Sequence, residues 1–232
     1  MSVQATTGEL SFGASPDSAG PAIDVGTGTS DWVRSGAKRA LDLTLALPLA
    51  ILTVPILLVL LVVSAVVFRS NPLFIQERIG LRGSRFSFVK LRSMPASVPA
   101  DIDKYALGDH SGSLGRFSRF VRTTHLDELP QLWQVVSGQM SLVGPRPELP
   151  AIAERFDPDF VERRVRVRPG VTGLWQISES SNGLIGESPV YDDLYVSSGT
   201  FRTDLWVMGR TVAGFLGAPA ATEFDCRRVV RG

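Results

Sequence analysis

The stretch THLDELPQLWQVVSGQMSLVGPRP, residues 124–147, holds the groups best suited to chemistry: adjacent acids Asp127 and Glu128, then Arg146 set between two prolines. Acids at a helix start commonly do no more than complement the helix dipole. Their company here points further. Lys90 stands in FVKLRSM, and Arg163, Arg164, Arg166 and Arg168 alternate ahead of a Pro-Gly turn. Rigidly framed cations suit phosphoryl transfer, whose transition state is stabilised by positioning and charge. A nucleophilic carboxylate beside one that can hold a divalent ion makes a coherent pair for attack on a phosphoanhydride. Mg²⁺ is the natural ion, because it takes one or two carboxylates together with substrate phosphates. The sequence has no phosphate-binding glycine loop, so NTPase and dehydrogenase chemistry have no support. His125 could relay protons, although a histidine at a helix start equally suits simple exposure.

These residues need elements to hold them. Thr123 or Thr124 can cap a helix that tolerates Pro130 in its first turns. On a helical wheel Leu129, Leu132, Trp133 and Val136 form the expected buried stripe, with Asp127, Gln131 and Gln134 opposite. Asp127 is thus expected to point away from the core, kept ionised by the helix dipole. Gly138 ends that helix, and SLVGPRP makes a rigid turn that fixes Arg146. Upstream, residues 71–94 read as a short hairpin turning at Gly80 to Gly83. SLGRFSRFVR, residues 113–122, sets phenylalanines opposite arginines, as in a helix lying in a headgroup layer, and an ordinary core helix fits the pattern equally. VTGLWQI reads as a strand. Phe201, Leu205, Met208, Val212 and Phe215 mark an amphipathic helix able to pack on the domain or lie on lipid. The fold class expected is α+β, mainly helical.

At 232 residues the chain can bury one catalytic core, and a formal net charge of +1 excludes a general polyanion binder, nucleic acid included. The single cysteine, Cys226, cannot form an internal disulfide. Mean hydropathy is positive at +0.14, chiefly because of LTLALPLAILTVPILLVLLVVSAVVF. This segment, residues 43–68, runs about 26 residues without a charge, enough to cross a roughly 30 Å hydrocarbon core. It starts too late to be a signal peptide. Lys38 and Arg39 flank one end, while Arg69, Arg78, Arg82 and Arg85 follow the other. The positive-inside rule therefore draws both ends to the cytoplasm. Pro48 and Pro55 interrupt the run, and the hydroxyls of Thr44 and Thr53 are candidate partners for the carbonyls they free. A re-entrant helix fits both facts better than a single-pass anchor. Residues 1–35 read as a disordered tail, 95–112 as a surface loop, 36–218 as the catalytic domain and 219–232 as a C-terminal tail.

KRALDL, FIQERIG, FSFVKLRSM, RTTHLDELPQLWQVVSGQMSLVGPRP, VRPGVTGLWQI and YDDLYV followed by TDLWVMGRTV together resemble the monotopic polyprenyl-phosphate phosphoglycosyltransferases, often called bacterial sugar transferases, from about Lys38 to Ala218. The resemblance implies that Asp127 attacks the sugar-bearing β-phosphate of a nucleoside diphosphate sugar, usually a UDP-sugar. It implies a covalent phosphosugar, passed to polyprenyl phosphate, usually undecaprenyl phosphate, as the first membrane step of exopolysaccharide, capsule or O-antigen synthesis. Glu128 matches the residue associated with Mg²⁺, and Lys90, Arg122, Arg146 and Arg168 match the cations around the phosphates. The family's helix break corresponds to the segment around Pro55, and its site faces the cytoplasm at the inner membrane, where glycosyltransferases of the same pathway are possible partners. Two positions depart from the pattern: Val54 where many relatives carry serine, and Ser93 where threonine is common. A catalytically silent scaffold of the same fold is the alternative.

Overall fold

The computed structural model describes residues 28–97 and 115–231. Most of the expected N-terminal tail, the 95–112 loop beyond residue 97, and His110 lie outside that range. Ten α-helices and four short strands follow in order among the described residues. α1 (Asp31–Arg34) and α2 (Gly36–Phe68) precede the hairpin β1 (Leu73–Ile79) and β2 (Arg85–Leu91). Then come α3 (Arg116–Thr123), α4 (Gln131–Val136), β3 (Ser141–Val143), α5 (Pro150–Ala153) and α6 (Pro158–Arg164). β4 (Gly170–Thr172), α7 (Leu174–Ile177), α8 (Val190–Ser198), α9 (Phe201–Phe215) and α10 (Glu223–Arg231) complete the chain.

α2 is one helix of 33 residues with Pro48 and Pro55 inside it, so the prolines remove donors without ending the element. Thr53 Oγ1 donates to the carbonyls of Leu49 at 2.8 Å and Ala50 at 3.1 Å. It does not reach the Ile51 carbonyl that Pro55 leaves free, which corrects the expected pairing. Lys38, Asp42, Ala46 and Ala50 recur at four-residue steps and form the buried face of the first half. Leu60 and Ser64 return to the domain: Ser64 Oγ donates to the Arg92 carbonyl at 2.9 Å, and Leu60 packs with Leu91 and Val121. Between these two anchor points Leu52 (73% exposed) and Val59 (63%) stand bare.

The root of α2 carries a buried polar cluster. Lys38 Nζ lies 3.0 Å from both Asp42 Oδ1 and Asp204 Oδ2, with all three side chains buried. Asp42 also accepts from Ser141 Oγ at 2.8 Å and Leu142 N at 3.1 Å, and Asp204 accepts from Trp32 Nε1 at 2.8 Å. The Tyr195 hydroxyl bridges Asp204 Oδ1 at 2.7 Å and the Val143 carbonyl at 2.9 Å. Burial raises the Asp204 pKa, against the opposing charge of Lys38 and the hydrogen bonds it receives.

β1 and β2 pair antiparallel from Leu73↔Leu91 to Ile79↔Arg85, as the hairpin pattern predicts, with Arg82 and Gly83 at positive φ in the turn. β3 and β4 pair parallel, Ser141 with Gly170 and Val143 with Thr172. A Cβ on Gly170 would overlap the Gly144 backbone, and one on Gly144 would sit 2.5 Å from the Arg168 carbonyl. Glycine is therefore required where the GPRP and RPG turns cross.

Several expectations need correction. GLWQI is not strand: only Gly170–Thr172 pairs, and Leu174–Ile177 turns helical. Residues 219–232 are not a loose tail. α10 puts Cys226 and Val230 into the main core beside α8 and α9. The final residues assigned to the N-terminal tail are also ordered, since α1 buries Val33 and pairs Trp32 with Phe201 edge to face at 5.4 Å. α9 turns Thr203, Asp204 and Val207 inward and leaves Phe201, Leu205, Val212 and Phe215 exposed.

Replacing Lys38 with methionine would leave two buried carboxylates sharing no cation. The K38M protein is expected to lose about 3–5 kcal/mol of stability, read as a lowered Tm in thermal unfolding of the nanodisc-reconstituted protein.

Candidate active site

Asp127 and Glu128 do not open an α-helix. They lie in a 3-10 turn, Leu126–Glu128, between α3 and α4, and α4 begins only after Pro130. Thr124 folds back on α3, its Oγ1 donating to the Phe120 carbonyl at 2.7 Å, so it does not cap α4. His125 enters the turn in the left-handed region (φ 55°), and its carbonyl accepts from Glu128 N at 3.1 Å.

The expected buried stripe holds only in part: Leu129, Leu132 and Val136 pack against the core. Gln131, Gln134 and Val135 are buried, whereas Trp133 is 41% exposed. The buried Gln134 holds strand backbone: its Oε1 accepts from Val89 N at 3.0 Å, and its Nε2 donates to the Ser87 carbonyl at 2.7 Å. This clamp fixes β2, and with it Lys90, beside the acid turn. Arg39 closes the other end of α4, donating to the carbonyls of Val135 at 2.6 Å and Val136 at 2.9 Å. The membrane helix thereby holds the helix that follows the acids.

Asp127 is buried as well, not aimed into solvent. Burial raises its pKa; Lys90, Arg122 and His125 oppose the rise and Glu128 adds to it. Glu128 goes the other way. Burial works against its charge too, but Lys90, Arg146 and His125 outweigh it and hold the carboxyl at about 2. Lys90 Nζ sits 2.6 Å from Glu128 Oε1 and 5.4 Å from the Phe88 ring centroid. Two neighbouring carboxyls thus carry pKa values pushed apart by their surroundings.

Lys90, Arg122 and Arg146 act on the acid pair through their charge. Arg168 does not join them: its Nε donates to the Gly138 carbonyl at 2.9 Å, past the far end of α4. There it lines a small cavity with Lys38, Arg39 and Asp42. Two other arginines of the run are structural. Arg163 makes a two-pronged pair with Asp193 (2.8 and 3.0 Å), and Arg164 pairs with Asp192 at 3.1 Å while donating to the Arg146 carbonyl at 2.7 Å. Arg78 completes the support of this turn, reaching Glu148 at 3.0 Å and the Pro147 carbonyl at 3.1 Å. Sequence reasoning missed Gln134, Arg39 and the Asp192–Asp193 pair; the acidic YDD triplet matched to the ERR arginines was the one available signal.

No cluster of three or more His, Cys, Asp or Glu residues able to hold a metal occurs among the described residues. The donor set fits an ion that takes only one or two protein carboxylates: Glu128 stays ionised at neutral pH, and Lys90 engages its Oε1.

Residues 33–218 match the family described as Bacterial sugar transferase. A UDP-galactose-lipid carrier transferase of Erwinia amylovora is 35% identical over 192 residues, which cover 75% of this chain and 39% of that protein. A UDP-glucose:undecaprenyl-phosphate glucose-1-phosphate transferase of Caulobacter vibrioides is 34% identical, covering 77% of this chain and 69% of the relative. An undecaprenyl-phosphate galactose phosphotransferase of Salmonella typhimurium is 30% identical, covering 75% and 39%. The chain spans about two-fifths of the length of several of these relatives. With the match extending from α1 to just past α9 and including both acids, the chain belongs to the bacterial sugar transferase family.

Proposed function

We propose that this protein transfers a sugar 1-phosphate from a nucleoside diphosphate sugar, a UDP-sugar by analogy with the relatives' names, to undecaprenyl phosphate. The single observation carrying this reading is the buried Asp127 beside an ionised Glu128, with Lys90, Arg122 and Arg146 acting on the pair. An Asp127 carboxylate oxygen forms a bond to the β-phosphorus. The anhydride bond to the α-phosphate breaks, and the nucleoside monophosphate leaves with that electron pair. A phosphate oxygen of the polyprenyl phosphate then attacks the same phosphorus and breaks its bond to Asp127. The carboxylate is restored and a polyprenyl diphosphate sugar is released, the substrate of later glycosyltransferases in polysaccharide assembly.

Each side chain has a part in this scheme. Burial strips water from the Asp127 carboxylate, while Lys90 and Arg122 favour its ionised form and attract the donor's phosphates. Lys90 exchanges its Glu128 contact for phosphate oxygens as the donor enters. Mg²⁺ held by Glu128 and the donor phosphates would supply charge neutralisation for the departing monophosphate. Arg168, set apart from the acids, serves here through the Gly138 turn.

The exposed stripe of α9, together with Phe120, Trp133 and the bare middle of α2, supplies an apolar surface for the bilayer. The return of Leu60 and Ser64 to the domain that holds Lys38 and Asp42 supports a re-entrant course, with the catalytic domain on the cytoplasmic face of the inner membrane.

With purified protein, undecaprenyl phosphate and a panel of nucleoside diphosphate sugars, one donor is expected to yield monophosphate. Asp127→Asn should lower that rate at least about 10³-fold; undiminished turnover would remove Asp127 from its role. The nucleophile must be deprotonated and burial raises its pKa, so the rate should fall on acidification at a pH above the ordinary aspartate value of 3.8. Glu128→Gln removes a charge that contributes to the rise, and any residual activity should show this limb shifted to lower pH. For topology, single cysteines near residues 36 and 72, in a Cys226→Ala background, should label from the same side of sealed vesicles. Labelling from opposite sides would make α2 a spanning helix.

A further inference from the structure

We infer that His125 is a positioning residue that couples the lipid-facing end of α9 to the turn carrying Asp127, through a ring contact with Phe215. The inference rests on the transferase reading above. The His125 and Phe215 ring centroids lie 5.1 Å apart with planes inclined by 35°, within the range where aromatic rings attract one another. Phe215 is the last residue of α9 and belongs to its exposed apolar stripe; Leu216, next in the chain, is 85% exposed. His125 is the residue from which the acid turn starts.

The backbone gives this contact its consequence. His125 is one of three non-glycine residues at positive φ among the described residues, a conformation that costs energy for any side chain with a Cβ. Its N–H donates to the Arg122 carbonyl at 3.3 Å and its carbonyl accepts from Glu128 N at 3.1 Å, so it joins α3 to the turn. Were φ at His125 to relax to a negative value, the chain would leave α3 in another direction and carry Asp127 and Glu128 away from Lys90. A strained residue persists only where its surroundings over-determine it. The Phe215 ring packs on the exposed His125 ring from outside this segment, and it comes from the helix whose apolar face is bare. Seating α9 in lipid fixes Phe215, Phe215 holds His125, and His125 sets the nucleophile.

The alternative role, proton relay by the imidazole, makes different demands on the side chain. Phenylalanine keeps a ring to stack and has no proton to move. Alanine keeps the Cβ that strains a left-handed backbone and has no ring. The pair therefore separates ring contact from acid–base chemistry.

Monophosphate release would be measured in nanodiscs with undecaprenyl phosphate and with UDP-glucose and UDP-galactose as donors, giving kcat and donor KM for wild type, H125A, H125F, F215A and the H125A/F215A double variant. H125A and F215A should each lower kcat about three- to tenfold with donor KM held within about twofold, since the contact orders the nucleophile without touching the donor. The double variant should be no slower than the worse single one, as for two halves of one contact. H125F keeps the ring but not the imidazole's charge beside the acids, so it should lose less kcat than H125A. Wild-type kcat in H125A or F215A, losses that multiply in the double variant, a loss carried by KM, or H125F as slow as H125A would each overturn the coupling. If the wild type releases monophosphate from neither donor in this assay nor from any in the wider panel, the transferase reading itself fails, a result distinct from any of these.

Discussion

A lysine ammonium placed between two buried carboxylates is the constraint on which the rest of this molecule depends. Lys38 cannot be left unpaired in so dry a setting, nor can Asp42 and Asp204 be left without it. Satisfying all three draws α1, α2, β3, α8 and α9 to one point through Trp32, Ser141 and Tyr195. The emergence of the apolar helix from the domain is thus set by hydrogen bonds rather than by apolar packing alone. The next residue transmits that orientation. Arg39 holds the C-terminal carbonyls of α4, Gln134 of α4 holds β2, and Lys90 of β2 holds Glu128. A continuous line of polar contacts joins the membrane anchor to the acid turn.

At the end of that line two adjacent carboxyls meet opposite electrostatic fates. Asp127 is buried and Glu128 partly so, and burial alone would raise both. Lys90 at 2.6 Å from Glu128, helped by Arg146, reverses the effect for Glu128 and leaves Asp127 the one raised. An anion held firmly ionised suits a cation or a phosphate-borne metal, and a partly desolvated carboxylate suits attack on phosphorus. The division of labour thus follows from which acid the lysine reaches.

Much of this is legible in the chain, and the failures have physical causes. The hairpin is readable because Gly80 and Gly83 bracket alternating residues, and the apolar helix because its composition admits nothing else. The acid pair, Lys90, Arg122 and Arg146 stand in separate motifs that the fold brings together, whereas Arg168 faces the Gly138 turn, because a Pro-Gly turn marks rigidity without marking direction. Periodicity misplaces Gln131, Gln134 and Trp133 of α4 because it assumes that the apolar face alone is the buried one. In this helix the domain interior asks for glutamine, to pair strand backbone at Val89 and Ser87, while Trp133 lies outside. α9 likewise turns Thr203 and Asp204 inward and phenylalanines outward, and its periodicity, which suits packing on the domain or on lipid alike, does not tell the two apart. The C-terminal helix escapes notice because its charged residues dominate the composition, although Cys226 and Val230, four apart, mark its buried side.

The central claim is that Asp127 becomes esterified by a phosphosugar during turnover. The most direct measurement is mass spectrometry of protein mixed with its donor, without polyprenyl phosphate, and acid-quenched within the first turnover. The expected result is a mass increase of one phosphosugar, mapped to the peptide containing Asp127 and discharged when undecaprenyl phosphate is added before the quench. Accumulation of lipid-linked product while that peptide keeps its unmodified mass at every quench time would contradict the claim.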